Sequence, residues 1–552
     1  MVRHIIILSV VAWGHMRPEC NLAVNLARRF PDLTVSFIAD ADFQSNAQNE
    51  VNRIVGKDEK ELLARIRVIA AGRALAGITL QLAAANRSMD PRASRWPSPV
   101  CTQAIQNILE SIMEGEAFED DSGTKWEGIA QKPSLVISDA FMADAALPLK
   151  EKYQLPTHLF LPAIAASPFT RMFGPLAAGG QAEGYVEECD AIEADPARAK
   201  GRGFAEIAKQ TWAHSGRYPD DIVRVMGLKP SYEWEDFPQE HWMPAAYWVI
   251  AGSYPLVQKA DGLLLPTSLQ LDKEGTEGVK EWFSRPVFSL GPQLPPSYLD
   301  SHISVDSNGS SGTEFKISYA NAKVDDTTGL DPSIAFLDEA FGKHGAGSVL
   351  YISFGSAMVP KDTHIGYLFD VLLELDEPFP FLFAAASPAL QLPDGLAEKV
   401  AASGRGLIVP WAPQQQVFQH RATGWALSHC GAGGLSEALA QGMPLIAWPI
   451  AADQPQNARW VTEVLDAAFE LLQVRTGLGQ KKAFRGGPNG TDIIGTEEAI
   501  KAEMRDVLKR ARGEEGKRKM ANASKVRQII HDSQMPGGQV DQHYELLGKL
   551  IV

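Results

Sequence analysis

The chain has 552 residues, which at about 150 residues per domain suggests two to four domains. Hydrophobic residues make up 45% and charged residues 22%, a globular composition that excludes long disorder and collagen-like repeats. A net charge of −15 gives no general attraction to nucleic acid or an anionic membrane, and four cysteines (Cys20, Cys101, Cys189, Cys430) at spacings unlike a zinc motif point to a reducing, cytoplasmic setting.

The first candidate element is Arg3 to Trp13. A signal peptide is one reading of this apolar run after Arg3. Its β-branched residues with no small-residue cleavage site read instead as a buried first strand of a parallel sheet. A helix is predicted from Pro18 to Phe30, with proline in its first turn. Strands follow at Leu33 to Ala39, Ile66 to Ala70, Ser134 to Ser138 (closed by Asp139) and Thr157 to Leu161. Strands alternating with helices predict a doubly wound parallel sheet. The segment Ser301 to Gly329, rich in Ser, Asn, Asp and Gly, reads as a polar insertion in a linker.

The alternation restarts at Val349 to Phe354, closed by Gly355-Ser356. Strands are predicted again at Phe379 to Ala384, Gly406 to Pro410, Gly424 to Ser428 and Pro444 to Trp448. The loop Thr476 to Gly495 carries six glycines. Beyond it come charged amphipathic helices, whose Lys517-Arg518-Lys519 run reads as a solvated face. The expected division is 1–292, a linker 293–332, 333–531, and a last helix 532–552 packing back on the first domain. Nothing reaches the roughly 18 to 20 apolar residues of a spanning helix, and no anchor signal or heptad pattern stands out, so a monomer without a membrane segment is expected.

In doubly wound sheets ligands bind beyond the carboxyl ends of strands, so the residues just after each strand carry the functional argument. The densest such segment runs from Trp411 to Gln454. The glycines Gly431, Gly433 and Gly434 join a strand to a helix, where close backbone approach and the helix N-terminus suit a phosphate. His429 at the rim can donate to a phosphate oxygen. Glu437, one turn into the helix, suits ribose hydroxyls, and Asp453-Gln454 after the next strand offer donors and acceptors to further hydroxyls. Trp411 presents a flat face to a base. A rival reading takes Gly431-x-Gly433-x-x-Ser436 with Asp453 as a loose dinucleotide fingerprint of an NAD-dependent oxidoreductase. It leaves Trp411, Gln414, His429 and Gln454 without roles.

The run Trp411-Ala412-Pro413-Gln414, then His429-Cys430-Gly431, Glu437 and Asp453-Gln454 resembles the signature box of family-1 UDP-sugar glycosyltransferases of the plant secondary-product type. Gly14-His15 with Pro18, Ser138-Asp139, Phe354-Gly355-Ser356 and Gly291-Pro292 agree with it. The resemblance implies the α/β GT-B architecture: two facing Rossmann-like domains with a cleft, the acceptor on the first and the UDP-sugar on the second. Carried over, Trp411 stacks on uracil and Gln414 bonds uracil or ribose. His429 and Ser356 contact the diphosphate and Glu437 the ribose, and Asp453 and Gln454 hold the sugar. His15 matches the catalytic base, with Asp139 as its orienting partner. The family's Trp-Asn-Ser is here Ala432-Gly433-Gly434, which removes two side-chain contacts and puts the sugar preference in doubt.

The expected function is therefore inverting, metal-independent transfer of a sugar, glucose by the presence of Gln454, from UDP to a hydroxyl of a small apolar acceptor such as a phenol, flavonoid or terpenoid. A non-catalytic UDP-sugar binder is the other alternative, against which the presence of both His15 and Asp139 argues. Asp40-Ala41-Asp42 reads as a chance strand-end cluster rather than a metal site, and Cys430 as a packed thiol. Phe141, Met142 and Tyr232 to Trp248 are candidates for an acceptor pocket or for core.

Overall fold

The computed structural model describes residues 3–55, 59–73, 91–93, 99–213, 215–240, 245–299, 331–356, 358–487 and 489–551. The polar insertion predicted at 301–329, and residues 241–244 of the aromatic stretch, lie outside the described residues. The chain divides into two units. The first is Met1–Glu233, Trp242–Pro295 and Asp532–Val552; the second is Trp234–His241 and Pro296–His531.

The first unit is built on seven parallel strands: β1 Arg3–Leu8, β2 Leu33–Ala39, β3 Ile66–Ala70, β4 Leu135–Asp139, β5 Thr157–Phe160, β6 Gly262–Leu265 and β7 Val287–Ser289. Their spatial order is β7-β6-β5-β4-β1-β2-β3. β1 pairs in register with both β2 and β4, for example Ile5 with Val35 and with Leu135. Its Ile5, Ile6 and Ile7 are all fully buried, as a central parallel strand covered on both faces requires. The last helix, Gln539–Gly548, adds Val540, Tyr544 and Leu547 to the same core.

The second unit holds six parallel strands: β8 Val349–Ser353, β9 Phe381–Ala384, β10 Gly406–Val409, β11 Thr423–Ser428, β12 Leu445–Ala447 and β13 Ala468–Glu470. They run in the order β10-β9-β8-β11-β12-β13. In each sheet the strand order therefore reverses beside the first strand, between β1 and β4 and between β8 and β11. Loops leaving the carboxyl ends at such a switch point are where doubly wound sheets bind ligands.

The structure corrects several local expectations. The first strand stops at Leu8, and a helix spans Trp13–Arg29, with Pro18 inside it. Its apolar face begins at Met16, whose N–H already bonds the Ala12 carbonyl, so packing extends the helix upstream of the proline. β6, β7 and β13 were not predicted. Nor were two small antiparallel pairs, Phe118–Glu119 with Lys125–Trp126 and Ile222–Val223 with Ser231–Tyr232. Lys519 is not on a solvated face: it is 5% exposed, and its ammonium sits 2.8 Å from Asp466. No helix among the described residues is long and apolar enough to cross a membrane.

The excursion Trp234–His241 completes the second unit. Glu235 is fully buried there and accepts from Arg475 (3.1 Å), Arg485 (2.9 Å) and the Phe484 N–H (2.8 Å). Both guanidiniums also bond Glu470, at 2.8 and 2.7 Å. Burial alone would raise the Glu235 carboxyl; Arg485, Arg475 and Arg459 outweigh it and hold the pKa at about 2. This network anchors the glycine-rich loop after Thr476.

Candidate active site

In the first unit the switch point gathers three polar side chains. His15 lies in the first turn of helix Trp13–Arg29, not in a loop ahead of it. Its Nδ1 is 2.7 Å from Asp139 Oδ2, and Asp139 closes β4 with no exposed surface. The other carboxylate oxygen accepts the Phe141 N–H at 2.8 Å, so the aspartate cannot swing away from the ring. Phe141 packs its ring on His15, with centroids 5.0 Å apart, while Met142 turns into the core. An imidazole whose Nδ1–H goes to a buried carboxylate presents Nε2 as an acceptor, which is the tautomer a general base needs. The helix N-terminus disfavours positive charge on the ring and works in the same direction. The third side chain, Glu19, was not singled out from the sequence. It is wholly buried one turn further along the same helix.

In the second unit the loops after β8 and β11 meet around His429. A Cβ on Gly355 would come within 2.9 Å of the His429 ring, and one on Gly431 within 2.5 Å of Nε2, so both positions need glycine. Gly355 has φ +71°, a left-handed conformation that glycine adopts without strain. Ser356 follows it, exposed. Burial lowers the His429 pKa to about 4, so at neutral pH the ring is an uncharged donor rather than a cation. Gly431 is the N-cap of helix Ala432–Ala440, and no side chain caps that end. Gly433 and Gly434 therefore sit in the first turn, not before it. A Cβ at Gly433 would meet nothing within 4 Å, and one at Gly434 only Gln414 Nε2 at 3.5 Å. The result is a cradle of backbone N–H groups with room beside it, suited to an anion.

Glu437, 2% exposed, is held from two sides: Gln414 Nε2 donates to it at 2.6 Å and Gln415 Nε2 at 2.9 Å. The Tyr351 hydroxyl fixes the Gln414 carboxamide at 3.1 Å. Trp411 lies half-buried just beyond β10. After β12, Ala452 takes φ +59°, an uncommon conformation for a residue with a Cβ, and leads into Asp453. Asn457, missed in the sequence, donates to Asp453 Oδ2 at 2.7 Å and to the Cys430 carbonyl at 3.0 Å, tying the loops after β12 and β11 together. Gln454 is turned inward: its Oε1 accepts from Ile450 (2.9 Å) and Ala451 (3.1 Å), and its Nε2 lies 3.6 Å from the Met358 sulfur. Cys430 is fully buried. Asp40 accepts the Asp42 N–H at 2.9 Å, and Asp42 pairs with Arg73, so this acidic pair closes a local turn.

Residues 328–476 match the family model for UDP-glucoronosyl and UDP-glucosyl transferases. The chain is 28% identical over 522 residues to the UDP-glycosyltransferase eriJ of Hericium erinaceus, spanning 92% of this chain and 90% of that one. With the UDP-glycosyltransferase 74D1 of Arabidopsis thaliana it shares 27% over 305 residues, 55% of this chain and 58% of that one. Among solved structures, Medicago truncatula UGT71G1, complexed with UDP-glucose, superposes with TM-score 0.64 at 16% identity, covering 100% and 99% of the two chains. A Polygonum tinctorium UDP-glucosyltransferase capable of glucosylating indoxyl gives 0.61 at 20%, covering 100% and 98%. At such identities the structural likeness establishes the architecture. Two doubly wound sheets with these switch-point loops define a GT-B protein. The family match over residues 328–476 and the curated relatives support a family-1 UDP-glycosyltransferase. The dinucleotide reading of Gly431 to Ser436 is not favoured.

Proposed function

We propose that this chain is an inverting glycosyltransferase that moves glucose from UDP-glucose to a hydroxyl of a small apolar acceptor of the phenol, flavonoid or terpenoid kind. The observation that carries the reading is the 2.7 Å pairing of His15 with buried Asp139 at the first unit's switch point. His15 Nε2 takes the proton of the acceptor hydroxyl as its oxygen attacks the anomeric carbon from the side opposite UDP. Asp139 holds the ring and offsets the imidazolium that forms. Attack from that side turns an α-linked donor into a β-glycoside.

The second unit's residues serve the donor. Trp411 stacks on the base, Gln414 and Glu437 hold base and ribose, and Ser356, His429 and the N–H groups beside Gly431, Gly433 and Gly434 receive the diphosphate. Asp453 and Gln454 face the sugar hydroxyls; Gln454 must release its backbone contacts, or leave that task to Asp453. Leaving-group charge falls on a helix N-terminus and a neutral imidazole donor, so the reading assigns no step to a divalent cation. A cytoplasmic setting is supported by the low cysteine content. A monomer is proposed, with light scattering as its check.

The test is a mass-spectrometric transfer assay with UDP-glucose and a pool of phenols, flavonoids and terpenoids. A hexose added by the wild type and not by His15→Ala supports the proposal. UDP binding without transfer to any acceptor or from any donor sugar would leave a binding protein instead.

A further inference from the structure

Glu19 has no part in the chemistry above, yet it stands beside it. It is 0% exposed and lies on helix Trp13–Arg29, four residues after His15. Its polar neighbours are the Asp139 carboxyl at the end of β4 and the Ser9 hydroxyl just after β1. The other ionisable groups around this stretch of helix are Cys20, Arg17 and, from helix Gln44–Ile54, Glu50. Glu50 is already engaged by Arg17 at 3.1 Å and Arg53 at 2.7 Å.

Two neighbouring carboxyls shut off from water hold one negative charge between them, because like charges at short range do not both ionise. The donors decide which one carries it. Asp139 receives the His15 ring N–H at 2.7 Å and the Phe141 N–H at 2.8 Å. Neither Glu19 oxygen makes a bond of good geometry: the Ser9 hydroxyl beside them favours the charged form but is set toward the Val10 carbonyl at 3.4 Å, and burial and Asp139 outweigh it. A buried carboxylate without donors is strongly unfavourable, whereas a buried carboxylic acid beside a carboxylate has its acceptor at hand.

We propose that Glu19 is a positioning residue, a neutral carboxylic acid whose hydroxyl donates to Asp139 and keeps that aspartate the anion of the pair. Burial and the Asp139 charge both push the Glu19 pKa well above the usual carboxylate range, in agreement with the donor count. Asp139 is held by His15, the Phe141 N–H and Glu19, and so keeps its carboxylate facing the ring. The proton that His15 takes from the acceptor therefore stays on the imidazole, and Glu19 keeps its proton throughout. The inference rests on the reading of His15 as the base.

Two measurements on the full chain test it. Infrared difference spectra of wild type against Glu19→Gln should show a carboxylic-acid carbonyl band at neutral pH that the variant lacks. The pH profile of kcat/KM gives the second readout. Glutamine is neutral and can donate an N–H, so Glu19→Gln should leave the acid limb in place. Glu19→Met, similar in shape but without a donor, should move the acid limb to higher pH and lower kcat about tenfold, with the KM for UDP-glucose unchanged. Absence of the band, together with an acid limb moved to lower pH by Glu19→Gln, would show a charged Glu19 and overturn the proposal. The infrared band does not depend on turnover. An inactive wild type would therefore condemn the transferase reading, while the band alone still decides the state of Glu19. Should Glu19→Met fail to fold, the band and the Glu19→Gln profile carry the test.

Discussion

The two units use one scaffold position for opposite purposes. Each sheet reverses its strand order beside its first strand, and each places its functional loops there, after β1 and β4 in one and after β8 and β11 in the other. In the first unit that position is filled with titratable side chains, His15, Asp139 and Glu19, two of them wholly buried. In the second it is filled with glycines and a helix N-terminus, and its histidine is held neutral. The difference is one of chemistry on a common frame. A proton acceptor needs a charged partner locked in place, while a phosphate site needs bare backbone and space. Fold alone would not have told the two apart.

Removing one side should leave the other intact. His15→Ala is expected to lower kcat/KM by about 10²- to 10⁴-fold, the usual worth of a positioned base. UDP affinity by calorimetry should stay at the wild-type value. Next in size is a structural break in the second unit. Glu235→Ala leaves Arg475 and Arg485 short of a buried partner and should cost about 3–5 kcal/mol in urea melts. Acid reaches the same contact. With its carboxyl at about 2 instead of the ordinary 4.5, Glu235 gives its full share of stability above pH 4.5 and loses it as the pH falls toward 2. Both units also lose stability between pH 6.5 and 4, because His4 and His158, buried in the first, and His429, half-buried in the second, each have a pKa of about 4. Melting temperatures taken from pH 7 down to 3 would trace the two stages.

Smaller changes sharpen the contrast within the donor cradle. Gly431→Ala forces a methyl against His429 Nε2 and should weaken UDP binding about tenfold, roughly one charge-assisted hydrogen bond, without altering the His15 pairing. Gly434→Ser, at a position with room, should instead tighten UDP binding by a few-fold, about one neutral hydrogen bond. Both effects are read by calorimetric titration with UDP.

The sequence made the long central strands plain, because β-branched runs such as Ile5 to Ile7 have one use in an αβ alternation. It hid β6, β7 and β13, and length is not the whole reason, since β5, β9, β10 and β12 are equally short and were legible. It misjudged the helix at His15, since Pro18 looked like a start while packing of Met16 set the start earlier. The pairing of His15 with Asp139 was legible through the resemblance of Gly14-His15 and Ser138-Asp139 to the family's motifs. Glu19 was not, because a glutamate on an amphipathic helix looks solvated until the sheet closes over it. The excursion Trp234–His241 was also out of reach, since Glu235 meets Arg475 across some 240 residues of chain. Asn457 gave no signal beyond its place one turn after Asp453.

The stereochemistry of the product tests the account most directly. NMR of the glycoside formed from an α-linked UDP-glucose would be recorded for the wild type and for His15→Ala. The account predicts a β-linkage from the wild type and product formation slowed by about 10²-fold or more in the variant. An α-linkage, or a β-glycoside made by His15→Ala at close to the wild-type rate, would contradict it.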